Sequence, residues 1–542
     1  MVRRSAVIGF AVLALLQGSA GAHVRAVPAP VTSFVLEGHG YGHGIGMSQY
    51  GALGYAQHGF TYAQILAHYF PGTTLGSAPG VTLRVLLAEG KKALTVSSTA
   101  GFTVRDGAGG THTLAAGAYS FGPGFVLRAV PPFEGSRGAA MPGPLTFSPG
   151  GAPLALGGKL YRGQLRAILT GKTLEAVDVV GLDSYLYGVV PSEMPYIWSP
   201  DALEAQAVAA RSYALATRKQ TGDFDVYGDV RSQAYGGIAA EHYETTAAVD
   251  KTRRQVVLYK GKVATTFFFS TSGGRTAAIQ DAWPKSAPVP YLVSVPDPYD
   301  TLSPWHNWGP VLVDGAKLRK ALKLAGPVTD LTVTPGAGGR VGSVAVTDTL
   351  GDTVTVAAAE FRTLLGLRST WFSAGVLSLV ASEAPVSYGS SVDFSGVARG
   401  VAAPTLQQRL TGGVWQPLGA VSPDATGAFQ LTATPDASAD YRLAAGKASG
   451  PVLRVGVAPL VTLSALPDSS GVSGTVQPLL TGATVGLQQQ VGTTWATLTT
   501  AMVDESGNFQ MLYPLEAGGV YRARVAPGQG FAVGVTEPLS AP

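Results

Sequence analysis

The stretch LDSYLYGVVPSEMPYIWSPDALEAQAVAARSYALATR, residues 182–218, decides how the N-terminal part of the chain is read. An apolar run ends in Tyr187-Gly188-Val189-Val190, a turn Pro191-Ser192-Glu193-Met194-Pro195 follows, and an Ala-rich helix comes next. The two prolines predict an extended, turn-like backbone around Glu193. Ser199-Pro200-Asp201 predicts a helix start, with an N-cap serine, a proline in the first turn and an acid near the positive helix end. The helix should reach about Lys219 and stop before Thr221-Gly222. Leu203, Ala207, Ala210, Ala214 and Thr217 share one face, which predicts its burial against a closely packed neighbour. A carboxylate held in a stiff apolar turn is a candidate general acid, because burial disfavours its charged form. Taken alone, Glu193 reads more simply as a solvated loop residue.

Composition narrows the chemistry. The chain has 542 residues, too many for one core, and two to four domains are expected. It has no cysteine, so disulfides, thiolate metal sites and a cysteine nucleophile are excluded. The formal charge is +4, and no basic cluster of the nucleic-acid kind occurs. Arg3-Arg4, an apolar run over residues 6–16 and the small residues Ala20-Gly21-Ala22 read as a signal peptide over 1–22, with a linker over 23–33. That run is shorter than the ~20 residues of a spanning helix, so a secreted protein without stable membrane insertion is expected.

Further along, short strands are predicted at residues 81–87, 93–97, 101–104, 256–259 and 264–269, and a second helix at 239–252. From about Val376 the composition turns to Ser, Thr, Ala and Gly, and a repeat emerges. Trp415, Phe429 and Tyr441 recur 80 residues later as Trp495, Phe509 and Tyr521, and Leu406-Gln407-Gln408 matches Leu487-Gln488-Gln489. The fold class expected is an α+β catalytic-type domain over 34–375, followed by two all-β immunoglobulin-like sandwich modules over 376–457 and 458–540. The two tryptophans are expected to anchor the cores of these modules rather than to form sugar platforms.

Five separated blocks resemble the SpoIID/LytB family, the stage II sporulation protein D and amidase-enhancer proteins of bacterial cell walls. They are the 182–218 stretch, GHGYGHGIGMSQYGALGYAQHGFTYAQILAHYFPGTTL at 38–75, KLYRG at 159–163, STSGGRT at 270–276 and FRTLLGLRST at 361–370. In many family members the Gly/His block closes the domain, whereas here it opens it. The resemblance therefore implies a circular permutation of residues 34–75. Phe34-Val35-Leu36 should form a strand where the chain after Trp371-Phe372 would otherwise continue, and residues 62–69 an apolar helix that needs a partner surface.

The resemblance implies a secreted, wall-associated lytic transglycosylase that cuts peptidoglycan glycan strands and leaves 1,6-anhydro-muramyl ends, with Glu193 as the sole acid/base. It also implies an alternative, a non-catalytic peptidoglycan-binding protein whose partner is a wall amidase that it stimulates. The matching blocks nominate Gln206, Arg211, Tyr213, Ser232, Gln233, Tyr235, Ser270, Ser272, His43, Ser48 and Gln49 as substrate-binding residues. Each has an ordinary core or turn role as its rival, and Arg211 an ion-pair role. Gln206 and Tyr213 are seven apart and share a helix face, while Gln233 and Tyr235 alternate to one side of an extended chain.

No cofactor is expected. His39 and His43 form only a two-histidine pair, without an acid or thiol nearby. Some family members bind zinc through a histidine before the STSGG run and nearby cysteines; Phe269 takes that place here. The purified protein should therefore hold no stoichiometric zinc, and one zinc per chain by elemental analysis would overturn this.

Overall fold

The computed structural model describes residues 31–129, 140–528 and 530–541. The expected signal peptide, 1–22, and residues 23–30 of the expected linker lie outside them. Residues 31–33 of that linker already belong to a strand, Val31–His39.

The Ala-rich helix, Pro200–Thr217, is the pivot of the N-terminal part. Ala207, Ala210 and Ala214 enter one core, beside Leu186 and Val190 of the preceding helix, Leu182–Glu193. Leu203, Ala205, Val208 and Ala209 enter a second core, beside Ile65, Leu66 and Tyr69. A helix buried on both sides needs small side chains so that two layers can approach it, which is what its alanines supply. Thr217, expected on the buried face, is exposed because the helix outruns both cores there.

The first core continues between a seven-stranded sheet and a five-stranded sheet. The larger is antiparallel except for Val226–Tyr227, which runs parallel to Thr82–Lys91. The expected strands at 81–87, 93–97 and 101–104 appear as Thr82–Lys91, Leu94–Ser98 and Phe102–Arg105. The second helix is shorter than expected, Tyr243–Lys251, with a 3-10 turn ahead of it. Only Lys262–Val263 and Phe268–Phe269 of the 264–269 region and its start form strands.

The N-terminal strand pairs antiparallel with Phe372–Ala381, Phe34 opposite Val376 and Gly38 opposite Phe372, and with Asn307–Asp314 on its other edge. It thus lies beside the strand that continues the chain after Trp371. Its alternation buries both faces. Phe34 and Leu36 join a core with Val376 and Phe361, while Val35 joins Leu377, Phe394 and Tyr441 on the other side. The same sheet runs on through Val392–Arg399 and Ala428–Ala433, so the boundary expected at 375/376 falls inside a strand.

The C-terminal residues form two all-β units, each with its own apolar core between antiparallel sheets. The expected role of the tryptophans is corrected here. The cores hold Phe394, Phe429 and Tyr441 in the first unit, and Phe509 and Tyr521 in the second. Trp415 and Trp495 are half-exposed, outside both. Strand register put the neighbouring tyrosines inward and left the outer face to the indoles. No helix among the described residues is long and apolar enough to cross a membrane.

Phe34 is fully buried at the junction. Phe34→Ala should cost about 3–5 kcal/mol, read as a lower denaturant midpoint; a cost below about 1 kcal/mol would show that backbone pairing alone holds this strand.

Candidate active site

Glu193 is the last residue of the helix Leu182–Glu193. The extended turn expected over 191–195 is corrected: Pro191 lies inside the last helical turn, and the backbone becomes extended only at Met194. Ser192 closes that turn by donating its hydroxyl to the Gly188 carbonyl at 2.8 Å. Gly188 has no room for a side chain, since a Cβ there would lie 2.8 Å from the Tyr235 ring.

The Glu193 carboxylate is half-buried and accepts one backbone N–H, from Ala234, at 3.3 Å. Burial raises its pKa above the ordinary carboxyl range; the Ala234 N–H and the nearby Gln49 amide oppose that only in part. The Gln49 Nε2 makes no well-aligned hydrogen bond, so its support of the charged form is weak. The C-terminal end of a helix, where its negative pole lies, favours the neutral acid further.

Glu193 opens into a cleft of about 440 Å³ lined by His43, Tyr213, Val230, Arg231, Ser232, Phe267, Phe268 and Trp283. Glu193 is the one carboxylate among these lining residues. Arg231 is held away from it by Asp229 and Glu89, each at 2.7 Å, and lies over the Tyr227 ring. Its charge is thereby spent outside the cleft.

His43 reaches the cleft from the Gly/His loop. Its Nδ1 accepts the Ile45 N–H at 3.0 Å, and the ring donates to the Phe268 backbone. Burial is the main cause that lowers its pKa to about 4, with Arg362 and Arg340 adding to it. His43 is neutral at pH 7 and both nitrogens are engaged, which leaves no lone pair for a metal. Phe269 packs against it with ring centroids 5.5 Å apart. Among the described residues, no group of three or more His, Cys, Asp or Glu side chains is gathered for a metal ion. The loop glycines are needed: Gly46 has φ +76°, and a Cβ there would lie 2.2 Å from the Phe267 carbonyl oxygen.

The other nominated residues divide by position. Tyr213 and Ser232 line the cleft with His43, and Gln49 lies against Glu193. Gln233 and Tyr235 do not form a wall; both are buried beneath it. Gln233 accepts from the Tyr185 hydroxyl at 3.4 Å and donates to the Ala210 carbonyl at 3.3 Å. Tyr235 donates its hydroxyl to Asp178 at 2.9 Å. Gln206 is fully buried in the central helix, and both of its amide atoms lack a hydrogen-bond partner. Arg211 lies away from the cleft, binding Asp183 at 3.0 Å and the Val249 and Gln255 carbonyls; its ion-pair reading holds.

Ser48 is buried and caps the helix Gln49–Gln57 by accepting the Gly51 N–H. Ser272 is buried and donates to Asp300 at 2.7 Å. Ser270 is half-buried and its hydroxyl meets that of Thr271 at 3.2 Å. These three serines order the segments behind the cleft rather than line it. The lining residues that sequence reasoning did not nominate are Val230, Arg231, Phe267, Phe268 and Trp283. The run Phe267-Phe268-Phe269 was the available signal, because three consecutive aromatics cannot all face one core.

Residues 170–259 match the family model described as SpoIID, Stage II sporulation protein. An uncharacterized protein of Brachyspira hyodysenteriae is 36% identical over 157 residues, covering 28% of this chain and 42% of that protein. The Amidase enhancer of Bacillus subtilis is 38% identical over 120 residues, covering 22% of this chain and 16% of that protein. Stage II sporulation protein D of Bacillus amyloliquefaciens is 34% identical over 146 residues, covering 24% and 42%. In each case this chain spans less than half the length of the relative.

The support beneath the cleft has a titration of its own. Asp178 is fully buried, and a Cβ on Gly163 of the YRG segment would lie 2.0 Å from its Oδ1. Burial lifts its carboxyl to about 7, against the opposing Tyr235 hydrogen bond. Folding thus favours the protonated form. Its contribution is complete below the unfolded pKa near 4 and is lost as pH rises through about 7, on the order of 4 kcal/mol in all. Asp178→Asn should remove this loss, so that unfolding free energy changes less between pH 4 and 8 than in the parent. Equal slopes in the two proteins would refute the assignment.

Proposed function

Because the chain belongs to the SpoIID/LytB family, we propose that it is a secreted, wall-associated peptidoglycan lytic transglycosylase carrying two immunoglobulin-like modules. The observation that carries this reading is the single carboxylate of the cleft, half-buried and shifted toward its neutral form. A two-carboxylate glycosidase needs a second acid to hold water or to form a covalent sugar. Intramolecular transglycosylation needs one. Protonated Glu193 gives its proton to the glycosidic oxygen as the bond from the muramyl C1 breaks. The C6 hydroxyl oxygen of the same sugar bonds to C1, and its proton passes to the Glu193 carboxylate. No water is consumed, and the acid is regenerated for the next turn.

The remaining lining fits a sugar chain. Tyr213, Phe267, Phe268 and Trp283 offer apolar ring faces, and Ser232 offers a hydroxyl. Neutral His43 brings no positive charge that would ionise Glu193. The second reading, a non-catalytic protein that stimulates a wall amidase, is favoured by the name of the 38%-identical Bacillus subtilis relative.

Glu193→Gln keeps the shape and removes the proton donor. Digests of purified glycan strands, read by mass spectrometry, should lose anhydro-muramyl product by more than the ~10²–10⁴ typical of acid–base catalysis, because one group serves both proton transfers. In the parent, kcat/KM should fall as pH rises through the raised Glu193 pKa, since the free enzyme must hold the proton. Product at the parental rate from the variant would end the catalytic assignment. A parent that makes no anhydro product yet accelerates an amidase would establish the second reading.

A further inference from the structure

The two C-terminal units repeat a surface device as well as a core. In the first, Leu406 lies opposite Gly419 and Gln407 opposite Pro417, so Leu418 is the extra residue of a bulge in the strand Gln416–Ala420 that pairs with Thr405–Leu410. In the second, Leu487 lies opposite Thr499 and Gln488 opposite Thr497, so Leu498 is the extra residue of a bulge at the matching place in Thr494–Met502. The bulge bends the strand opposite the glutamine and increases its twist. Gln407 then accepts the Arg442 Nε–H at 2.9 Å, and Gln488 accepts the Arg522 Nε–H at 2.9 Å. Each guanidinium lies over an indole, Arg442 at 4.2 Å from the Trp415 ring and Arg522 at 4.1 Å from the Trp495 ring. Four features recur together: bulge, glutamine, arginine and tryptophan. Neither indole belongs to a core.

A clip that only held strands together would not need a guanidinium fixed on both its edge and its face. That fixation leaves the terminal nitrogens as a planar fork beside a half-exposed indole. Arg522 makes no hydrogen bond from its terminal nitrogens among the described residues, and Arg442 makes one, at 3.5 Å to Ser449. Such a fork matches a carboxylate bidentately, and its preorganisation lowers the entropy lost on binding. The charge agrees. Arg409 and Arg454 flank the first device with only Asp440 between them, and Arg524 is exposed beside the second. An indole next to a carboxylate fork fits a sugar polymer bearing acid groups.

We propose that these two outer sheet faces are equivalent binding sites for carboxylate-bearing glycan strands of peptidoglycan, and that together they hold the chain on the wall. The choice of polymer rests on the reading of the Glu193 cleft; the sites themselves do not. Bivalent attachment makes the second contact intramolecular, so avidity far exceeds either site alone.

The test is co-sedimentation of the full-length Glu193→Gln chain with insoluble peptidoglycan stripped of accessory wall polymers. That chain should sediment with the wall. Trp415→Ala or Trp495→Ala alone should weaken retention about tenfold, and the pair by more than about 10². Arg442→Lys with Arg522→Lys keeps the charge and removes the fork, and should match the tryptophan pair even if the latter unfolds. Turnover of short soluble glycan, measured with Glu193 restored, should be unchanged in these variants. Folded pairs that sediment like their parent would overturn the proposal and leave the device a strand clip, as would a chain that never sediments. Loss of anhydro product with retained sedimentation would sink the catalytic reading and spare this one.

Discussion

Eight register pairs between the strand Val31–His39 and the strand Phe372–Ala381 hold together what chain order separates. This pairing seats the Gly/His block beside Glu193, since the loop that carries His43 begins where the strand ends. It also fixes the first C-terminal unit, because the second strand continues into that unit's sheet. The hydrogen bonds alone would not select this register. Alternate side chains enter two different cores, Phe34 and Leu36 into one and Val35 into the other, so a slip of one residue would expose or misplace every one of them.

Much of this was legible in the sequence. The permuted strand, the helix Tyr62–Tyr69 and the Ala-rich helix followed from periodicity and from matching blocks. Glu193 does open into a cleft, but its backbone was misread. The proline rule argues against helix at Pro191, yet a helix near its end has few remaining bonds to lose, and the Ser192 hydroxyl reinforces the last turn. The tryptophans were misassigned for a different reason. A repeat shows which residues recur, but the face each one takes depends on a hairpin register and a bulge that leave no mark in composition.

The site residues show a similar limit. Matching blocks pick out side chains that matter without distinguishing contact from support. Gln233, Tyr235 and Arg211 proved to be support, bonded to Tyr185, Asp178 and Asp183. The aromatic lining at Phe267 and Phe268 was overlooked, since such residues pass for core until a cavity is seen beside them.

What makes Glu193 a plausible acid is the agreement of several independent biases. Burial, the helix C-terminus and weak hydrogen bonding all favour the neutral carboxyl. Two basic side chains, Arg231 and His43, line the same cleft. Arg231 is ion-paired with Asp229 and Glu89, and His43 is kept uncharged by its own burial and by two arginines behind it. The arginines that suppress the charge of His43 lie in the residues after the STSGG segment, Arg340 and Arg362, while His43 itself comes from the Gly/His block after the N-terminal strand. The neutral state of His43 thus draws on residues that the strand pairing brings together from two ends of the domain.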